Sequence, residues 1–192
     1  MGLGMAGVLV WSPLAAAHGN TDLSPFYVGI LDWVLHWQQA LFLVAGGCWC
    51  GQQRTADALR LGSSLVGGLL AAAVAVLLGI VAAVPVLGAA FGYMLAGLAV
   101  AAQLQAAYHW PLMVGVAAGF ASGLGLEFTA AADGQQALLF VLGMLVGVLL
   151  LMFYVAAAAI RLPDGWPRIG LRVVGSWIAA IGMMVCAFSL AL

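Results

Sequence analysis

Asp32 and His36 stand four residues apart in the apolar segment FYVGILDWVLHWQQALFLVAGGCWC. That spacing puts a carboxylate and an imidazole on one helical face. Gln39 lies three residues beyond His36 on roughly the same side, with Gln38 beside it. Such oxygen and nitrogen donors can hold a divalent metal ion or relay a proton. The competing reading is a hydrogen-bonded cluster that locks this helix to its neighbours. Polar groups early in an apolar span are costly unless they meet a partner or water, which gives the functional reading its weight.

Other donors are more scattered. Glu127 ends a later apolar run on the side where Asp32 to Gln39 begin, so it either faces them or is a solvated helix end. Asp133, beside Gly134, reads as a turn residue. Gln103 and Gln105 fall near the inner end of a span, and Gln103 is placed to face the bundle. Met1 to Ala17 is apolar and closes on Ala15-Ala16-Ala17, a signal-peptide cleavage pattern, although no basic residue precedes it. Cleavage would start the chain at His18-Gly19, and an α-amine beside an imidazole chelates copper or nickel. Cys48 and Cys50 form a C-x-C pair, but two thiols do not complete a metal site, and buried cysteines usually serve as small core residues. No nucleophile motif, phosphate loop or haem attachment sequence is present, so an enzyme is not expected.

The elements that position these residues must be membrane helices. The chain is 66% hydrophobic and 6% charged over 192 residues, far more apolar than a soluble core requires. No basic patch suits nucleic acid. Six spans are expected after the signal peptide, at roughly 26–49, 61–84, 87–107, 112–128, 137–160 and 171–192. The fold class is thus an all-α, compact bundle of six transmembrane helices, with residues 18–192 as a single polytopic domain. All five basic residues are arginines, in GQQRTADALR and IRLPDGWPRIGLR. Cytoplasmic loops retain such residues. The rule places the mature N-terminus on the periplasmic side of a bacterial inner membrane. Pairs of small residues at helical spacing, Gly115/Gly119/Gly123, Gly88/Gly92, Gly143/Gly147 and Ser64/Gly68, predict close helix contacts. They serve either the bundle itself or, through the same faces, a homo-oligomer or membrane protein partner.

The arrangement resembles the HupE/UreJ family of small membrane proteins, regarded as nickel or cobalt permeases. The likeness rests on the signal peptide before His18-Gly19, the aromatic-glycine entry from Phe26 to Gly29, the exit Gly47-Cys48-Trp49, the Gly- and Ala-rich spans, and a last span opening Leu171-Arg172-Val173-Val174-Gly175. The family's first-span signature, of the type His-Pro-x-x-Gly-x-Asp-His, places its first histidine on Asp32 and its Asp-His pair on Gln38-Gln39, with His36 at the glycine. The resemblance implies a permease for a divalent transition metal. Because most of the family's imidazoles are replaced, it does not carry nickel specificity with it. The expected ligand set is His18, Asp32, His36, Gln38, Gln39 and Glu127. The alternative is a non-catalytic membrane subunit or assembly factor of a larger metalloenzyme or respiratory complex. A proton or small-solute channel has less support, since no polar stripe crosses the bilayer.

Overall fold

The computed structural model describes residues 23–125, 134–163 and 165–191. All regular structure among them is helical: α1 (Pro25–Leu35), α2 (Trp37–Gly51), α3 (Thr55–Leu77), α4 (Pro85–Ala101), α5 (His109–Leu124), α6 (Gly134–Ile160) and α7 (Trp166–Ala191). Three stretches are long and apolar enough to cross a membrane, namely Thr55–Leu77, Leu138–Ile160 and Trp166–Ala191. A shorter apolar helix covers Val86–Ala101. The chain thus has the build of a helical membrane protein. Its large exposed side chains are mostly apolar, as a lipid-facing surface requires.

The local chemistry sets the boundaries. Pro85 opens α4 at the first helical position, where a missing N–H is harmless. The helix expected over 61–84 is displaced to Thr55–Leu77. It stops early because Gly79 takes a left-handed conformation (φ 67°). Gly79 N–H then bonds to the Val76 carbonyl (3.0 Å) and Ile80 N–H to the Ala75 carbonyl (2.9 Å), the paired closure of a Schellman cap. α4 ends the same way, with Gln103 N–H on Val100 (3.1 Å) and Leu104 N–H on Ala99 (3.0 Å). Here the left-handed position (φ 53°) is held by Gln103. Gln103 was expected to face the bundle and is instead exposed.

Helices α2, α3, α5 and α4 pack in a closed ring, each touching the next. α1 and α6 flank the ring beyond α2, and α7 lies along α4. The small-residue stripes form these seams. Between the parallel pair α3 and α5, a Cβ on Gly119 would meet the Leu65 carbonyl carbon at 2.9 Å and the Leu69 nitrogen at 3.0 Å. Gly68 is pressed reciprocally on the backbone of Val116 and Phe120. Gly88 and Gly92 face α5, and Gly143 and Gly147 face Phe26 and Ile30 of α1. Every stripe read from the sequence is therefore occupied within the chain.

One end of the bundle collects the arginines. Arg54 caps α3, Arg161 follows α6, and Arg168 and Arg172 open α7. Arg172 Nε donates to the Ala101 carbonyl at the end of α4 (3.1 Å). At the opposite end, Val84 N–H donates to the Leu124 carbonyl (2.8 Å) and ties the start of α4 to the end of α5.

Candidate functional site

The helix expected over 26–49 is broken at His36. This residue has an extended backbone (φ −90°, ψ 97°) and sits as the N-cap of α2, without a capping bond from its side chain. Asp32, Trp33, His36 and Trp37 are weak helix formers, so interrupting the helix here costs little intrinsic propensity. Packing against α6 supplies the reason for the break. Ile30 lies against Gly147, and Gly47 lies against Met152 and Val155. A straight helix from 30 to 47 would advance roughly 25 Å at about 1.5 Å per residue, whereas 147 to 155 covers roughly 12 Å. Both halves can bury their glycines on α6 only if the chain bends between them.

The break falls inside the polar cluster. α1 carries Asp32 in its last turn, and α2 carries Gln38 and Gln39 in its first. Gln39 N–H and Ala40 N–H both donate to the His36 carbonyl (3.0 Å each). Gln39 itself is only 6% exposed, and its Oε1 is buried without a hydrogen-bond partner. Gln38 is half-buried and His36 is exposed. The side chain of Asp32 lies outside what the structure describes, as do His18 and Glu127 entirely. Among the described residues no group of three or more His, Cys, Asp or Glu comes together as a metal cluster.

Physically, such a break leaves the last carbonyls of α1 and the first N–H groups of α2 without helical partners. The carbonyl end carries partial negative charge and the N–H end partial positive charge. A cation is thus favoured on the α1 side.

Two further buried hydroxyls lack partners: Tyr93 OH on α4 and Ser122 Oγ on α5. Gly92, next to Tyr93, packs directly on Ser122 (a Cβ there would lie 2.8 Å from the Ser122 Cβ). Neither residue was singled out by sequence reasoning, because an isolated hydroxyl in an apolar helix resembles ordinary core. With Gln39 they bring three unpartnered oxygens to three helices of the same ring.

The other end of α2 carries a network of a different kind. Trp49 Nε1–H donates to the Leu104 carbonyl (2.8 Å), as does Gln53 Nε2–H (2.9 Å). Gln53 Nε2–H also donates to the Trp49 carbonyl (3.2 Å), and Gln53 Oε1 accepts from Ala106 N–H (2.8 Å). These bonds are fully committed to holding the loop after α4, so they build architecture. Cys48 and Cys50 are both buried in α2, matching small core residues. No protein-family model, curated protein or solved structure matches the chain.

Proposed function

We propose that this protein is a permease-type membrane protein for a divalent transition metal ion. In this reading six passes follow a cleaved signal peptide, with α1 and α2 together making the first. The arginine end faces the cytoplasm and the mature N-terminus faces the periplasm of a bacterial inner membrane. The observation that carries the reading is the helix break at His36, set between Asp32 and the buried, unpartnered Gln39. Irregular backbone at membrane depth is tolerated where it is enclosed by protein or lines a cavity, and transporters place their substrates at such interrupted helices.

Asp32 and His36 act as the charged and imidazole ligands, with Gln38 and Gln39 adding amide oxygens. Glu127 and His18 complete the proposed ligand set, with His18 capturing the ion beforehand. Nickel and cobalt are the ions associated with the HupE/UreJ family that the chain resembles, but the replaced imidazoles do not carry nickel specificity over. The oxygen-rich donor set extends the candidates to harder ions such as manganese.

A second reading is a non-catalytic subunit or assembly factor. It draws on α7, which packs on α4 through Gly175, Ile178, Ala179 and Gly182 and turns Trp177, Met183 and Phe188 outward. Those side chains suit lipid or a neighbouring membrane protein.

Cellular metal content separates the two. Cells expressing wild type, Asp32→Ala or His36→Ala at matched membrane levels are compared across nickel, cobalt, copper, zinc, manganese and iron. Accumulation of one metal by wild type, lost in both variants, is the expected result. Equal content for every metal in all strains removes the permease reading and leaves the subunit.

A further inference from the structure

The small-residue stripes that close the bundle are taken up inside the chain, but α3 carries one more on its outer side. Ser63, Gly67 and Ala71 are exposed within Thr55–Leu77, one of the stretches long and apolar enough to cross a membrane. Successive members are four apart, so they share one face over about 12 Å at roughly 1.5 Å per residue. Gly67 is the anomaly among them. Most described helical glycines would drive a Cβ into another helix, as Gly119 does on Leu65 and Leu69 and Gly97 on Gly175 and Ala179. A Cβ on Gly67 meets nothing within 4 Å. Among the described helical glycines only Gly170, near the start of α7, shares that condition.

Glycine inside a helix is disfavoured against alanine, so its place calls for a close contact. In lipid, small residues are what let two helix backbones approach. No helix of this chain makes that contact with Gly67. α3 packs on α5 through Leu65 and Gly68 and on α2 through Leu65, which lie on other faces of the helix. The stripe instead borders an apolar groove of about 520 Å³ between α3 and α6, walled by Val66, Leu70, Leu149 and Phe153. Cys50, a free cysteine only 6% exposed, also lines it. Ser63 Oγ–H donates to the Arg60 carbonyl in its own helix (2.8 Å), so the residue presents a small surface and no open donor. One turn toward the arginine end, the Arg60 side chain is 69% exposed and only loosely paired with Asp57, at 3.9 Å.

We propose that this face is the seam of a homodimer, with α3 of two copies crossing at Ser63 and Gly67. Copies inserted in the same sense are related by a two-fold axis along the membrane normal, so residues near the axis meet their own counterparts at the same depth. A bare face then meets a bare face, the fit that close backbone approach requires. Any other membrane helix would need its own small stripe at this depth, whereas a second copy brings one by symmetry. The charges agree: each copy offers both Arg60 and Asp57, so each guanidinium comes level with a carboxylate of the other copy. The groove beside the seam leaves room for apolar side chains brought across. The dimer stands whether or not the protein carries metal.

The test uses the full chain reconstituted in lipid vesicles, with subunit number read by single-molecule photobleaching and the dimer dissociation constant by energy transfer on lipid dilution. Wild type is expected to be a dimer. Gly67→Leu should weaken it roughly tenfold or more, the scale of an overpacked contact. Its circular dichroism and thermal unfolding as a monomer in detergent should match wild type, because the folded chain leaves that space open. Should Gly67→Leu fail to fold, Ser63→Leu on the exposed surface carries the same expectation. Trp177→Ala, on the outer face of α7, should dimerise as wild type. Oxidation should link Ser63→Cys copies to each other in membranes, and should not link copies of Met113→Cys, exposed on α5. A monomeric wild type, with lipid alone along α3, overturns the proposal. A dimer indifferent to Gly67→Leu and Ser63→Leu, or lost instead in Trp177→Ala, places the seam elsewhere and overturns it as well.

Discussion

Trp49, fully buried in α2, donates its indole N–H to the carbonyl of Leu104, 55 positions along the chain, at 2.8 Å. The same carbonyl accepts from Gln53 at 2.9 Å. This double acceptance predicts unequal costs for removing the two donors. Trp49→Phe leaves Leu104 O satisfied and should cost about 2 kcal/mol, mostly lost packing. Gln53→Leu also strands the buried Ala106 N–H and should cost about 3 kcal/mol. Reversible unfolding in mixed micelles, followed by circular dichroism, measures both. A Gln53→Leu protein no less stable than Trp49→Phe would contradict the network's role.

The two Schellman caps make a natural comparison. Gly79 and Gln103 occupy the same left-handed position, and an L side chain there costs about 1–2 kcal/mol. Gln103→Gly is therefore expected to stabilise the protein by about 1 kcal/mol, and Gly79→Ala to destabilise it by a similar amount. The same unfolding assay decides it, and a loss of stability in Gln103→Gly would sink the expectation.

Glycines that look alike in sequence should differ sharply under substitution. Gly119 faces the backbone of Leu65 and Leu69, atoms that cannot yield as a side-chain tip can. Gly119→Ala should cost about 2–3 kcal/mol through overpacking. Gly67, one residue from the equally tight Gly68, has nothing within 4 Å of a would-be Cβ. Gly67→Ala should gain about 0.5–1 kcal/mol from helix propensity. Comparable effects at both positions would mean that α3 and α5 do not interlock at Gly119.

Gln39 tests the proposed permeation site most economically. Its Oε1 is buried without a partner, so Gln39→Leu removes a desolvated polar group and should leave stability equal or raise it by about 1 kcal/mol. Metal accumulation, if Gln39 is a ligand, should fall despite the intact fold. Full accumulation in a folded Gln39→Leu protein removes this residue from the site.

Long apolar runs made most helices legible. α6 and α7 begin within a few residues of their expected starts because nothing interrupts their apolar sequence. The break in the first helix was not legible, since apolar residues run on both sides of His36 and the bend answers to glycines of α6 more than a hundred positions away. The glycine stripes announced close contacts but not their partners, since a stripe carries no address. The network around Gln53 was hidden for a related reason. Its acceptors are main-chain carbonyls, which have no residue signature, and a glutamine pair at the end of an apolar run reads equally well as a wet interface. Asp32 and His36 stood out at once because ionisable groups are rare in such a composition.

The order of helix pairing has a consequence for how the chain is made. α3 packs most extensively with α5, α4 with α7 and α1 with α6, so none of the largest seams joins neighbours in sequence. As the ribosome delivers the helices one after another, α1 must wait for α6 and α4 for α7 before either finds its main partner. The early helices therefore spend synthesis with glycine-lined faces uncovered. The four-helix ring can close once α5 has emerged, whereas the seams of α1 with α6 and of α4 with α7 are completed last.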